Sequence, residues 1–431
     1  MMIRVQHIAE VDAAEYRRLM RRSGADVQRV LPQVQSIMEA VRERGDAAIR
    51  EFAARFDGVQ LQELRVSQEE IATARQQVSP ELVASLQRAR ANIERFHRQQ
   101  LPQEQIHELQ PGVRTGRFWR PIEKVGLYAP GGKAPYPSTV LMLGVPALVA
   151  GCQQRVLCIP PSANGSLPAA MLVAADLVGI TDIFKIGGAQ AIAAMAFGTE
   201  TVPQVYKLFG PGSIYVVAAK IWAASAGLPL AIDCPPGPSE VLVIADETAQ
   251  ASFVAADLLS QAEHGEDSAA ILLTTSVRLA EEVAAAVAVQ VPTLPTAARV
   301  QASLERYGMI LVMEDLDACV RFANDYAPEH LEIMTADPWA LSARVTNAGS
   351  VFLGHFSPVT MGDYLSGTNH VIPTGGYARM FSPLSVDEFV KKLEVQELTS
   401  QGLQALQEPL RALTAAEGFA AHQRAVDIRF G

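Results

Sequence analysis

Hydrophobic and polar positions follow two rhythms along this chain. Between residues 26 and about 100, Ile37, Val41, Ile49, Phe52, Ala53 and Phe56 fall at helical spacing, interrupted at Gly45-Asp46 and closed by Asp57-Gly58. Ser67-Gln68-Glu69-Glu70 has the form of a capping box, and Ser79-Pro80 opens a further helix through Leu82, Leu86, Ile93 and Phe96. From about residue 110 the rhythm changes. Short β-prone runs at Lys124–Tyr128, Arg155–Ile159, Asp182–Ile186, Val205–Phe209, Leu228–Asp233 and Val241–Ile244 alternate with Ala-rich helical segments at 138–150, 167–178, 189–197 and 214–226. Such alternation predicts parallel sheets with helices on both faces. It resumes after residue 248, with a helix into Gln261 and strands at Ala270–Thr274, Met309–Met313 and Ser350–Leu353. The order predicts two α/β units, one inserted in the other, with hinges at the Pro/Gly breaks 130–137 and 234–238. Beyond Gly375-Gly376 the pattern reads as helical, over Val386–Leu393, Thr399–Leu406 and Ala412–Arg424. Residues 1 to about 25 are a short polar, Arg-rich arm that cannot build a core alone.

Composition narrows the function classes. At 431 residues, with 49% hydrophobic and 19% charged positions, the chain is globular and long enough for two domains. Its formal charge is −10, without a Lys/Arg-rich run, which argues against nucleic acid and anionic membranes as partners. The apolar run Val140 to Cys152 contains Pro146 and is too short to span a bilayer. The N-terminus shows no secretory pattern, and Cys152, Cys158, Cys234 and Cys319 form no C-x-x-C pair. A cytoplasmic protein with reduced thiols is expected.

The candidate chemistry centres on Leu258-Leu259-Ser260-Gln261-Ala262-Glu263-His264-Gly265. Gln261 and His264 share a face of a helix that Gly265 would end. An amide oxygen and an imidazole there can hold a divalent metal; taken alone, the pair is more simply a histidine at the negative end of a helix dipole. Pro130-Gly131-Gly132, Gly187-Gly188 and Gly210-Pro211-Gly212 sit at predicted strand ends, where backbone N–H groups can approach an anion. None is G-x-G-x-x-G, and each also reads as a plain strand-to-helix turn. Glu329-His330 can divide two proton tasks, or be a surface dipeptide. Asp363 adds a hard oxygen ligand in a glycine-punctuated loop, and Glu417 and His422 lie in a C-terminal helix. Gln261, His264, Asp363 and His422 together suit zinc, manganese or cobalt. Spacing alone does not separate a metal enzyme from coincidence.

These residues resemble the histidinol dehydrogenase family over nearly the whole chain. The resemblance rests on Gly126-Leu127-Tyr128 with Pro130-Gly131-Gly132, Gly237-Pro238-Ser239-Glu240, Ser260 to Gly265, Pro328-Glu329-His330-Leu331, Ser366-Gly367-Thr368-Asn369-His370-Val371, and Glu417 with His422. It implies an α/β fold of two Rossmann-like domains lacking the G-x-G-x-x-G fingerprint, with a small N-terminal arm and a C-terminal helical segment. The implied division is a dimerisation arm at 1–25, a first α/β domain at 26–127 and 240–381 carrying the zinc and catalytic residues, an NAD-binding domain at 128–239, and a segment at 382–431 that crosses to the partner of a homodimer. The implied reaction is oxidation of L-histidinol through L-histidinaldehyde to L-histidine, with NAD as the oxidant and one Zn2+ per active site. By family position Gln261, His264, Asp363 and His422 hold zinc, His330 is the general base and Glu329 activates water. Ser239, Gln261, His264, His330, Asp363, Glu417 and His422 meet the substrate, while Tyr128 and Gln190 meet NAD. Glu417 and His422 would serve the partner's active site. One departure is Ser213, where the family commonly has asparagine, so one cofactor contact loses its amide edge. Glu417, Asn369 and His370 favour the imidazole substrate over another amino alcohol or a sulfonated diol on the same scaffold. A zinc hydrolase using Glu329, turning over without NAD, is the alternative from another class. A non-catalytic binding protein is the third.

Overall fold

The computed structural model describes residues 3–20, 27–131, 134–234 and 237–431. Gly132 of the Pro130-Gly131-Gly132 turn, residues 21–25 of the expected arm, and Pro235-Pro236 of the 234–238 break lie outside the described residues.

The strands, in chain order, are β1 (Arg4–His7), β2 (Gln105–Gln110), β3 (Val113–Pro121), β4 (Lys124–Tyr128), β5 (Gln154–Ile159), β6 (Asp182–Lys185), β7 (Lys207–Phe209), β8 (Ala231–Ile232), β9 (Glu240–Ala245), β10 (Ala269–Thr274), β11 (Gly308–Val312), β12 (His330–Met334), β13 (Ser350–Leu353) and β14 (Val390–Leu398). They make a six-stranded sheet ordered β1-β11-β10-β9-β12-β13, a five-stranded sheet ordered β6-β5-β4-β7-β8, and a three-stranded sheet ordered β14-β3-β2. Every pairing in the two larger sheets is parallel. β9 and β10 read EVLVIA and AAILLT, and all their residues are buried, because helices cover both faces of the sheet. The mixed α/β architecture expected from the alternation is the one observed. In sequence, all strands of the five-stranded sheet fall between β1 and β9 of the other.

Helices α1 (Ala13–Leu19), α2 (Val27–Arg44), α3 (Asp46–Phe52), α4 (Gln68–Gln77) and α5 (Pro80–Arg98) precede the sheets' main runs. Ser67 and Glu70 form the expected capping box, and Ser79 caps α5 through the Leu82 N–H. The structure departs from the expected grouping of residues 26–127 with the catalytic unit. α2 packs on α8 (Gly188–Phe197) and α9 (Ile214–Ser225), α4 on α7 (Ala169–Leu177), and α5 on α6 (Pro137–Ala150). Their apolar faces join the two cores that flank the five-stranded sheet, Val34, Met38 and Ile49 on one side and Ile71, Leu86 and Ile93 on the other. Helical periodicity fixed which residues turn inward, but not which sheet receives them.

The six-stranded sheet is covered by α10 (Ala251–Ala262), α11 (Val277–Gln290) and α12 (Ala297–Tyr307) on one face, and by α1, α13 (Leu316–Tyr326) and α14 (Pro338–Ser342) on the other. The expected free arm is therefore partly built into its own chain: β1 pairs with β11, and Tyr16 of α1 meets Phe322 edge-on. Residues Val386–Leu393, expected as helix, form a 3-10 turn at Val386–Phe389 followed by β14. Apolar Val390, Leu393, Val395 and Leu398 fit neither period cleanly, and antiparallel pairing with β3 along the whole strand decides the outcome. After α15 (Val359–Tyr364), the chain ends in α16 (Ser400–Ala405), α17 (Gln407–Glu417) and α18 (Ala420–Asp427). The last two pack on each other and leave Leu413, Phe419 and Ile428 exposed.

Candidate active site

A cleft of about 420 Å³ opens where the two parallel sheets meet. The five-stranded sheet offers its carboxyl ends: Pro130 follows β4, Gly210-Pro211 follow β7, and Asp233 and Cys234 follow β8. The six-stranded sheet offers its amino ends: Ser239 precedes β9, and Glu329-His330 open β12. Each sheet reverses its strand order there, between β4 and β7 and between β9 and β12. At the carboxyl ends of the five-stranded sheet, such a switch point leaves a crevice that neighbouring loops do not fill. The amino-end placement has a simple cause. α10 leaves the far end of β9 and runs back, so its C-terminus, with Gln261 and then His264, arrives beside the start of β12. A helix C-terminus carries partial negative charge and favours a cation.

Glu329 and His330 are held by the backbone of one residue. The Glu240 N–H donates to Glu329 Oε2 at 2.7 Å, and the His330 Nδ1–H donates to the Glu240 carbonyl at 2.9 Å. The turn before them is set by Ala327, which caps α13 in the left-handed region, away from right-handed helix as Pro328 requires. The Glu329 carbonyl accepts from the Ser350 N–H at 2.9 Å. With Nδ1 engaged, His330 presents Nε2, which has no hydrogen-bond partner and lies 3.7 Å from Asp363 Oδ1. Burial alone pushes this imidazole down. The Glu329 and Asp363 carboxylates outweigh it and hold the protonated form to well above the usual range. The two residues are 6% and 3% exposed, so this is no surface dipeptide.

Two of the four expected metal donors, His264 and Asp363, line the cleft, and Gln261 lies three residues before His264 at the end of α10. Gln261 is 1% exposed and neither its Oε1 nor its Nε2 has a partner, a cost that a ligand would remove. His264 lines the cleft with Nδ1 3.4 Å from Ser239 Oγ, which brings in the expected substrate residue. Asp363, on α15, lines it too; burial pushes its carboxyl up, but His330, His370 and His264 outweigh this and keep it below the usual range. His422 and Glu417 do not join them. Both are exposed on α18 and α17, where His422 lies against Phe419. Among the described residues no group of three or more His, Cys, Asp and Glu stands ready to hold a metal. The expected donors within one chain are one imidazole, one carboxylate and one amide. By donor chemistry this set fits a borderline cation.

Tyr128 ends β4 and Gln190 lies in the first turn of α8, and both are buried. The Gly188 N–H donates to the Tyr128 hydroxyl at 3.1 Å at the start of α8, and Gln190 is 3% exposed. Neither lines the cavity, whereas Gly210 and Pro211 do. Ser213 precedes α9 and makes no side-chain cap. Asn369, expected to help read the substrate, is instead a buried brace. Its amide donates to the Met142 carbonyl at 2.8 Å and meets His97, and its oxygen accepts from the Val371 N–H. His370 does face the cavity, with Nε2 unpartnered. Cys234 reaches the cavity wall as well, its thiol pushed up to about 12 by burial and by Asp233.

The chain matches the family model described as histidinol dehydrogenase over residues 20–430. It is 48% identical to the histidinol dehydrogenase of Methanothermobacter thermautotrophicus over 415 residues, covering 96% of this chain and 97% of the relative. It is 46% identical to that of Methanosarcina barkeri, covering 100% and 98%. The crystal structure of histidinol dehydrogenase from Elizabethkingia anophelis superposes with a TM-score of 0.94 at 43% identity, covering 100% of this chain and 98% of that one.

Proposed function

This chain belongs to the histidinol dehydrogenase family, and we propose that its cleft oxidises L-histidinol twice, through L-histidinaldehyde, to L-histidine. It is an oxidoreductase of histidine biosynthesis. The observation that carries the mechanism is the double hold of Glu240 on Glu329 and His330. His330, fixed through Nδ1, takes the hydroxyl proton on Nε2 as the first hydride leaves. Glu329, anchored through one carboxylate oxygen, directs water onto the aldehyde, and His330 deprotonates the hydrate. Cys234 is no rival nucleophile: a thiol pushed up to about 12 stays protonated at neutral pH.

Gln261, His264 and Asp363, with the partner subunit's His422, would hold zinc. A bound zinc would supply an anchor for the substrate's amine and imidazole nitrogens, and would offset the Asp363 charge that, after Glu329, raises His330. Tyr128, Gln190 and the glycine turns would hold NAD, which would supply the hydride acceptor for both oxidations. Ser239 and the partner subunit's Glu417 orient the substrate. The exposed apolar positions of α17 and α18, which find no cover in their own chain, support a homodimer with shared sites. The four cysteines are free, in keeping with a cytoplasmic setting.

The division of labour has a direct test. Glu329→Gln is expected to slow aldehyde oxidation by about 100-fold while alcohol oxidation falls far less, whereas His330→Asn slows both by about 100-fold or more. Equal losses in the two half-reactions of Glu329→Gln would contradict the assignment.

A further inference from the structure

We propose that the buried Lys220–Asp233 ion pair is a positioning device for the loop Gly210-Pro211-Gly212, and that it sets the affinity for the nicotinamide dinucleotide without serving zinc or substrate. The inference rests on the reading that this loop faces NAD. Lys220 lies inside α9 at 1% exposure, and Asp233, at 8%, follows the short edge strand β8. Both converge on one glycine. Lys220 Nζ donates to the Gly210 carbonyl at 3.0 Å, Asp233 Oδ2 accepts the Gly210 N–H at 2.7 Å, and the two charges meet each other directly. Each polar group of the Gly210 backbone is therefore tied to a charged side chain.

The position admits nothing but glycine. Its φ is +119°, and a Cβ would lie 2.1 Å from the Tyr128 carbonyl oxygen. The next residue, Pro211, together with Gly210, forms the cleft wall at the switch point of the five-stranded sheet. A loop whose carbonyl and N–H are both fixed presents one backbone surface to the cavity. Stability gives little reason for the arrangement, since a buried ion pair gains nothing consistent over an apolar pair of the same volume. Lys220 itself does not line the cleft and touches none of the proposed zinc donors, so it acts through the loop.

The test uses the zinc-loaded full chain and three readouts: NADH binding by fluorescence titration, zinc content, and the KM for L-histidinol. Lys220→Met is expected to raise the NADH dissociation constant tenfold or more and leave zinc content and the histidinol KM within twofold. Because that change strands a buried carboxylate, Lys220→Met/Asp233→Asn is made alongside it. The double variant keeps the acceptor for the Gly210 N–H and still lacks a donor for the carbonyl, so it should fold and still bind NADH weakly. Wild-type NADH affinity in either folded variant overturns the proposal. So does a parallel loss of NADH, zinc and histidinol binding, or failure of both variants to fold, since each makes the pair a general structural element. A wild-type protein that binds no NADH would instead remove the cofactor reading underneath.

Discussion

Asp257 and Glu332 lie one step behind the proposed active site, on the elements that build it. Asp257 precedes Gln261 by one helical turn on α10, and Glu332 follows His330 by two residues on β12, so it points to the same face of the sheet. Glu332 Oε1 accepts the Val359 N–H at the start of α15, at 2.8 Å, one turn before Asp363. The two carboxyls are 8% and 1% exposed and near enough to influence each other, so each is harder to ionise than a solvated carboxyl. Burial raises Asp257 from an ordinary 3.8 to about 6, and burial and then the Asp257 charge push Glu332 well above its usual range. The sign follows from linkage. A carboxyl whose folded pKa is raised binds more protons folded than unfolded between about pH 4 and 6. Its contribution is complete below pH 4 and is lost as pH climbs through 6. The Asp257 part amounts to about 3 kcal/mol. Thermal midpoints of wild type and Asp257→Asn, measured from pH 4 to 7, should converge at the acid end and separate as pH rises, with the variant the more stable. Parallel profiles would count against a raised Asp257 carboxyl.

At the scale of elements, the path into the catalytic pair is α13, its left-handed cap at Ala327, and β12. Asp315 caps α13 by accepting the Ala318 N–H at 2.6 Å. Asp315→Ala should cost about 1 kcal/mol in a urea melt and leave kcat unchanged, because β9 and β13 hold β12 on both sides. A fall in kcat larger than twofold would mean that α13 orients the site. Most strands were legible from the sequence because parallel strands buried on both faces read as short apolar runs. β12 was not, since Glu329, His330 and Glu332 interrupt its run with the very groups the site needs. β14 and the β2–β3 hairpin also escaped notice, being exposed strands whose pairing, and not their composition, makes them strands. Of the site, Gln261, His264, Glu329, His330 and Asp363 were legible as residue types in telling company. The hold exerted by Glu240 was invisible, because it is made by backbone atoms that any residue supplies. Asn369 was misread for the converse reason: a polar side chain beside a site looks functional until its buried partners are seen.

For the whole molecule, the cleft is built from both parallel sheets, and in the proposed function a partner chain's side chains complete it. Its five-stranded wall supplies Gly210 and Pro211, its six-stranded wall supplies Glu329 and His330, and the chain after α10 brings His264 to it and α15 brings Asp363. His422 and Glu417 stand exposed on helices with uncovered apolar positions. If sites are shared, mixing inactive His330→Asn and His422→Ala subunits should restore up to about half of wild-type activity per site pair, because one of the two sites in a mixed dimer is then intact. Verified mixed dimers without activity would refute the crossover. The claim on which all of this depends is that one cleft carries out both oxidations on one substrate. Counting NADH released per L-histidinol consumed in the purified wild-type protein tests it most directly: the account predicts two equivalents with L-histidine as the product, and a single equivalent with aldehyde released, or none, would contradict it.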